Sequence, residues 1–436
     1  MSGYLANPSK LRHTVPMRYL LAFWAVVACA QTTYNKDISR LMQGKCQQCH
    51  QPNAVAPMSL LTYDDTVTSA DDITRVLTAK TMPPWKPIDG FGTFRNSYGL
   101  NDAERQMFLD WLQNGMPQGD PADAPAPIPV QDSPWQLGTP DLALQMPKFT
   151  PPRAADTYRC FVLDTGLKQS MSINASQALP GAAAEVHHVL LFLDDTGESI
   201  ALDGKDGQPG YDCFGGPGFT GNNAIQAAFG GMVGAWVPGA RVSRLDPGIG
   251  QLIPANKRIV MQVHYHPNGH PVEDQTSVGF YFAPEGSVKH RMLTLPLVNM
   301  KFKIPANVAD YQVEASFQVP FFVSGKAILV APHMHLLGRK IAVNITNPDN
   351  SITPLIRIDD WDFNWQGFYT LDKAISVAPN SVLRLTTTYD NTDQNPKNPN
   401  YPIKPVGWGE GTNDEMCLAF IGIILDNEDL VRLLLK

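Results

Sequence analysis

Clustered positive charge, long apolar runs and cysteine are all scarce in this 436-residue chain. Lysine and arginine number 34 against 41 aspartates and glutamates, for a net charge of −7, and no segment gathers the basic residues together. That excludes a nucleic-acid partner, because neutralising phosphates requires grouped cations. Beyond the N-terminus no stretch reaches the roughly 20 apolar residues that a membrane helix needs. The run Tyr19–Ala30, preceded by Arg18, is too short to span a bilayer and ends in small residues, as secretory signals do. An exported protein, periplasmic or secreted, is expected. Met17, just before this run, competes with Met1 as the true start. Val26-Val27-Ala28-Cys29 fits a lipidation site that would anchor the chain at Cys29, and Ala28-Cys29-Ala30 fits an ordinary cleavage site; both readings stay open.

Only six cysteines are present. Cys46, Cys49 and His50 spell C-x-x-C-H, in which two thiols add across haem vinyl groups and the adjacent imidazole takes the proximal iron position. A zinc site would need a second Cys or Cys/His pair nearby, and a redox dithiol a βαβ surround; neither is there. One covalently bound c-type haem is expected. Met82, in Thr81-Met82-Pro83-Pro84-Trp85, is the expected distal ligand, with Met58 as its competitor. In an oxidising compartment Cys160 and Cys213 are left as a disulfide, and Cys417 has no partner.

The length exceeds one core, and 43% hydrophobic content suffices for several. After the signal segment (1–30), residues 31–118 read as a small all-α cytochrome c domain. Ile38–Met42 leads into the haem motif, Asp71–Lys80 is a middle helix, and Asn101-Asp102 caps Ala103–Asn114 with Gly115 as its stop. Met107, Phe108, Trp111 and Leu112 share one face of that last helix and read as core. A Pro/Ala-rich linker occupies 119–136. Beyond it, short β-branched runs broken by Gly, Pro, Asn and Asp predict two all-β domains, antiparallel sandwiches of jelly-roll-like kind, at 137–300 and 301–436. Strands are expected at Val186–Leu193, Arg258–Tyr265, Lys340–Ile345 and Ser381–Tyr389.

Seven of the ten histidines fall in or beside three clusters: His187-His188, His264-Tyr265-His266 with His270, and His333-Met334-His335. On a strand, residues i and i+2 share a face, so His333 with His335, or His264 with His266, can chelate one ion. His187 and His188 would point to opposite faces unless a strand end or bulge intervenes. Imidazoles joined by the thioether of Met416 favour copper, whereas a two-histidine iron site with Asp414 or Glu415 as the acid is the rival. His13, His270 and His290 carry no pattern.

Glu185-Val186-His187-His188, Gln262-Val263-His264-Tyr265-His266, His333-Met334-His335-Leu336-Leu337-Gly338 and Asp414-Glu415-Met416-Cys417 occur in the order seen in the ascorbate-dependent type II copper monooxygenases, and Asp156–Cys160 resembles that family's first strand. The resemblance, over about residues 137–436, implies two β domains facing each other across a cleft, each holding one copper ion. It assigns His187, His188 and His264 to the electron-accepting copper, with His266 as substitute for His264, and His333, His335 and Met416 to the oxygen-binding copper. It also implies the Cys160–Cys213 bridge, and roles for Tyr158 and Gln262 in electron transfer or water bridging, although ordinary strand packing accounts for both equally.

The activity so implied is hydroxylation of a C–H bond in a small organic substrate with O2. The fused haem, itself reduced by a periplasmic donor, would replace or relay ascorbate as the source of electrons. Where peptide-amidating members carry an arginine, an asparagine and a tyrosine, this chain has Ala331, Leu418 and Phe420, so an apolar or neutral substrate is expected. Two other classes fit the residues: a non-catalytic electron-transfer or copper-binding protein, and an interaction module with haem as a sensor.

Overall fold

A computed structural model describes residues 31–429 apart from 53, 55, 96, 130–132, 154–155, 220–230, 239–240, 267–268 and 270–271. The signal segment, Cys29, both candidate starts, His13 and His270 lie outside the described residues.

The chain opens with helical turns, Tyr34–Ile38, Ser39–Leu41 and Met42–Cys46, which deliver the C-x-x-C-H motif. Helices Tyr63–Thr68, Ala70–Thr78 and Asp102–Gln113 follow. The first and last start with reciprocal caps, Thr62 with Asp65 and Asn101 with Glu104, which satisfy amides that have no partner inside the helix. Gly115, at φ +82°, supplies the left-handed residue that ends the last helix. Phe108 and Trp111 are each 1% exposed and pack with Ile38, Met42, Ile73 and Leu77, so the aromatic stripe is core. The segment after the last helix runs back along the first, with Pro117 and Gln118 carbonyls accepting from the amides of Tyr34 and Asn35 at 2.9 Å each.

The remainder is β. The expected strands appear at Val186–Asp194, Arg258–Tyr265, Gly338–Thr346 and Val382–Asn391. They belong to a five-stranded sheet, in which Arg258–Tyr265 lies between Thr157–Asp164 and Val186–Asp194, and a four-stranded sheet, in which Val382–Asn391 lies between Val308–Gln318 and Gly338–Thr346. Both pack on one continuous eight-stranded sheet. Half of that sheet (Leu142–Gln145, Ser277–Phe282, Met171–Leu179, Ile249–Ile253) backs the five-stranded sheet. The other half (His290–Asn299, Cys417–Leu425, Gly325–His333, Tyr369–Val377) backs the four-stranded one. A short parallel pairing, His290 with Ile249 and Arg291 with Gly250, joins the halves. Each sandwich fills its interior with alternating inward residues: Phe161, Val189, Met261 and Phe280 in the first, Val330, Val343, Leu385 and Ile421 in the second.

The helical unit is docked, not tethered loosely. Phe94 bridges to Leu371, the amide of Ile88 donates to Arg357 O at 2.9 Å, and that of Asp372 donates to Thr93 O at 2.8 Å. Trp85 packs edge-on against both Tyr98 and Tyr369, with ring centres 4.9 and 5.3 Å away.

Cys160 and Cys213 form a disulfide across 53 residues of chain, while Cys417 is free and buried in the second core. Closing a loop of that length restricts the unfolded chain by about 4 kcal/mol. Cys160→Ala/Cys213→Ala should lose stability of that order in urea titrations, read as a lower midpoint with a steeper slope, because the unfolded chain without the crosslink exposes more surface.

Candidate metal centre

Strand Val186–Asp194 pairs with Arg258–Tyr265, but the register slips between Val186 and His188. The bulge lets two consecutive imidazoles serve one centre, which a regular pleat forbids. His188 stands directly opposite His264. Ligand atoms of His187, His188 and His264 all lie within 4.8 Å of one another. Both ring nitrogens of His264 are buried without a hydrogen-bond partner, a condition that costs about 1–3 kcal/mol for each such group. Burial lowers the pKa of His187 to about 2, drives His188 well below the ordinary imidazole value, and lowers His264 against the partial opposition of Asp156. All three are therefore neutral, the form that binds a metal ion. A neutral, converging imidazole set, with His187 Nδ1 and His188 Nδ1 3.3 Å apart and both nitrogens of His264 unpaired among the described residues, fits a metal.

His266 lies past the end of its strand and is used differently. Its Nδ1 meets Asp156 Oδ1 at 2.8 Å, and Asp156 Oδ2 accepts from the amide of Thr412 at 2.8 Å. The pair braces the two β units, and His266 is not among the three converging residues. Alternation along a strand therefore does not govern this cluster.

The same holds for His333-Met334-His335. The strand Gly325–His333 ends at the first histidine, and the turn beyond it sets the two rings 5.1 Å apart and almost perpendicular. Each Nδ1 faces an oxygen: His333 that of Gln366, and His335 the Asp414 carbonyl at 3.1 Å. A carbonyl oxygen accepts only, so both Nδ1 atoms carry the proton and both Nε2 atoms keep their lone pairs for a metal. Gln366 is oriented in turn by its own Nε2 donating to Phe363 O at 3.0 Å. Burial lowers His333 to about 4 and His335 well below the usual value. Met416, 8% exposed, lines the same chamber.

Glu415 is fully buried. Its Oε1 accepts from the Leu337 amide at 2.6 Å, and its Oε2 from the amides of His335 and Met416 at 3.0 and 3.1 Å. Burial pushes its pKa up to about 8 against those amide hydrogen bonds; the carboxyl group is thus spent on holding the histidine turn against the Met416 strand, and Asp414 contributes through its carbonyl. This geometry favours the thioether set over a two-histidine-carboxylate iron site.

The two sets are neighbours. His188 and His333 ring centres are 6.3 Å apart, and Phe363 stacks on His187 at 4.3 Å while meeting His335 edge-on at 5.6 Å. His188 of the first set and His333, His335 and Met416 of the second border a cavity of about 580 Å³. Leu190, Phe192, Val298, Ala331, Leu418 and Phe420 form apolar walls, and Glu410 is the one charged side chain in its lining among the described residues. Tyr158 stacks on His264 with ring centres 4.1 Å apart and donates its hydroxyl to Glu410 O across the two β units. Gln262, also in the wall, donates to Cys213 O at 3.2 Å.

Residues 299–424 match the family model of the copper type II ascorbate-dependent monooxygenase C-terminal domain. The matched segment lies in the second β unit and contains His333, His335 and Met416. An alignment 207 positions long, which covers 44% of the chain, is 23% identical to dopamine beta-hydroxylase of Canis lupus familiaris. The chain spans 31% of that relative's length. Among solved structures, the major capsid protein P2 of bacteriophage PM2 is 12% identical over 65% of this chain and 96% of its own, with TM-score 0.24. The infectious bursal disease virus VP2 subviral particle is 10% identical over 70% and 82%, with TM-score 0.19. Likenesses that slight carry no argument.

In the helical unit Cys46 and Cys49 are free and half-buried. Burial pushes the Cys46 thiol up to about 12 and raises Cys49, so neither is a thiolate. His50 Nδ1 faces the Met58 carbonyl at 3.2 Å, which leaves Nε2 free as an iron ligand. Met58 thus supports the imidazole through its main chain, while its side chain packs against the helical core. Met82 stands half-buried in the loop after Ala70–Thr78, its carbonyl 3.5 Å from Arg105 Nη1. These features fit a thioether-linked haem. Sequence reading missed Phe363, Gln366 and Asp156 as elements of the site, since isolated residues distant along the chain carry no local signal.

Five imidazoles held below their ordinary pKa take up fewer protons than the unfolded chain does as pH falls through 6.5. The metal-free protein should therefore melt at a lower temperature at about pH 5 than at about pH 7; equal midpoints would contradict the neutral cluster. Glu415→Ala would orphan three buried amides, at about 1–3 kcal/mol each. The expected result in urea is a loss of several kcal/mol, partly recovered in Glu415→Gln.

Proposed function

We propose that this protein is an exported copper monooxygenase that hydroxylates a C–H bond of a small, mainly apolar organic substrate, with electrons supplied through a c-type haem on its own N-terminal domain. The observation that carries the reading is the pair of neutral imidazole sets bordering one apolar chamber, the second within the matched segment. His187, His188 and His264 would hold one copper ion; His333, His335 and Met416 would hold the other, the thioether favouring Cu(I). Bound copper supplies the one-electron chemistry by which O2 is reduced and one oxygen atom is inserted into the substrate.

The chain's own residues do the rest. Gln366 and the Asp414 carbonyl hold the Nδ1 protons of His333 and His335, so neither ring can turn its ligand nitrogen away. Glu415 ties the turn carrying His335 to the strand carrying Met416, fixing their separation. Leu190, Phe192, Leu418 and Phe420 strip water from a substrate that enters beside His333 and Met416. No lysine or arginine is among the described residues lining the chamber, so an anionic substrate would find no counter-charge there. Cys46 and Cys49 would link the haem, with His50 as proximal and Met82 as distal ligand, and the haem would pass on electrons from a periplasmic donor.

Metal analysis of haem-matured protein should give two coppers per chain and one haem. Met416→Ala should retain His187/His188/His264 occupancy, lose Cu(I) affinity at the other set, and abolish O2 consumption with substrate. His264→Ala should do the converse for occupancy. Copper bound at both sets with no substrate-dependent O2 uptake, across an apolar panel, would move the protein to electron transfer or copper handling.

A further inference from the structure

The helical unit docks on one strand of the β units. Tyr369–Val377 is the outermost strand of the eight-stranded sheet, and residues 93–95 lie along its open side. Phe94 bridges to Leu371, the Arg95 amide donates to Thr370 O at 3.0 Å, and the Asp372 amide donates to Thr93 O at 2.8 Å. On its other side the same strand pairs with Gly325–His333, Tyr369 standing opposite Val330 on the strand that ends at the first ligand of the second metal set. Among the described residues, the only ring-to-ring contacts between the helical unit and the β units are those of Trp85 and Phe94 with Tyr369, at 5.3 and 5.4 Å between centres.

Contacts run into this aromatic group from both ends. Trp85 follows Met82, the expected distal iron ligand, through Pro83 and Pro84, and meets Tyr98 edge-on at 4.9 Å. The Arg241 guanidinium lies 4.2 Å from the centre of the Tyr98 ring and is hydrogen-bonded to Cys49, whose thiol would carry the vinyl edge of a haem. At the far end the Tyr369 ring presses on the backbone of Gly367, where a β-carbon would stand 3.0 Å from Cζ and 3.1 Å from the hydroxyl. Gly367 is bonded to Gln366, whose Oε1 accepts from His333 Nδ1. Trp85 and Tyr369 thus stand in unbroken contact between the C-x-x-C-H motif and a ligand of the second set. The helical unit also touches the first sandwich, through Arg95 with Asp246 and Tyr98 with Arg241. Among the described residues no hydrogen bond or ring contact joins Asp246 or Arg241 to His187, His188 or His264.

We propose that an electron passes from the haem to the copper at His333, His335 and Met416 by way of Trp85 and Tyr369, without passing through the His187, His188 and His264 set. This rests on the haem and copper readings given above, and it departs from the resemblance, which assigns electron entry to the first set. Tunnelling falls off exponentially with distance, and more steeply across a gap than through packed or bonded atoms, so the continuous series decides where the electron emerges. Ferrous haem is oxidised to ferric and Cu(II) is reduced to Cu(I), the state that the Met416 thioether favours; no bond breaks and no proton moves.

The test needs neither O2 nor substrate. Full-length, haem-matured, copper-loaded protein is held under argon in the oxidised state, with covalent haem verified by mass and copper by metal analysis. A light pulse on a flavin reduces the haem, its reoxidation is followed in the visible spectrum, and freeze-quenched EPR shows which Cu(II) signal is lost. His264→Ala, which should carry copper at the second set alone, is expected to keep the wild-type rate and to lose that signal as the haem reoxidises. Trp85→Leu and Tyr369→Leu should slow the transfer several-fold with haem spectrum and copper content unchanged. Trp85→Phe and Tyr369→Phe, which keep a ring, should recover most of the rate, and Phe321→Leu, at an exposed ring of the same β unit, should leave it unchanged. Loss of transfer in His264→Ala, or leucine variants as fast as Phe321→Leu, would overturn the route while leaving the haem and copper readings intact. A wild type in which the first-set signal is lost ahead of the second would do the same, even where the leucine variants do not fold. Absence of covalent haem or of copper would instead remove the reading beneath it.

Discussion

Two parallel residue pairs, His290 with Ile249 and Arg291 with Gly250, are the constraint on which the arrangement of the β units depends. Through them the back sheets of the two sandwiches become one eight-stranded sheet, and the front sheets are held facing the same chamber. Backbone pairing is stiff in register, because a slip of one residue turns every side chain to the other face. The ligand sets, each near the end of its own strand, consequently meet with His188 and His333 only 6.3 Å apart. The Asp156–Thr412 and Tyr158–Glu410 hydrogen bonds close the same junction from the chamber side.

Rigidity at the junction is matched by desolvation. Five histidines are kept neutral by burial, and the cost of hiding them is offset only where a ligand nitrogen finds a partner. Gln366 and Asp414 supply that for Nδ1 of the second set; neither nitrogen of His264 has a hydrogen-bond partner among the described residues, Asp156 Oδ1 standing 3.9 Å from Nε2. There the fold holds a polar group that none of the described residues pairs, which is how a fold set up for a guest differs from one that is merely stable. Glu415 is the contrasting case, a buried carboxylate whose three amide partners are all provided internally.

Much was legible in the sequence because the signals are local. Helix caps at Asn101, the one-face spacing of Phe108 and Trp111, and the β-branched runs around His188, His264 and Thr387 all depend on neighbours a few residues away. The histidine motifs were legible too, since their chemistry is unusual for strands. Strand alternation of i and i+2 does not govern His333-Met334-His335 or His264-Tyr265-His266, because each strand ends at or just after the first histidine. The bulge at His187 is what the two adjacent imidazoles demanded, and it is present.

The sequence alone determined the kinds of elements and the chemistry they carry: helices around a C-x-x-C-H motif, then strands bearing imidazoles and a thioether. Periodicity and side-chain type are properties of short segments, so they survive without knowledge of the fold. Tertiary structure alone decided that His266 turns to Asp156, that Gln366 holds His333, and that Phe363 stands between the two sets. Those outcomes hang on strand register, on where a sheet continues, and on which buried groups remain unpaired. All three depend on contacts between residues far apart in the chain, and no local pattern encodes them.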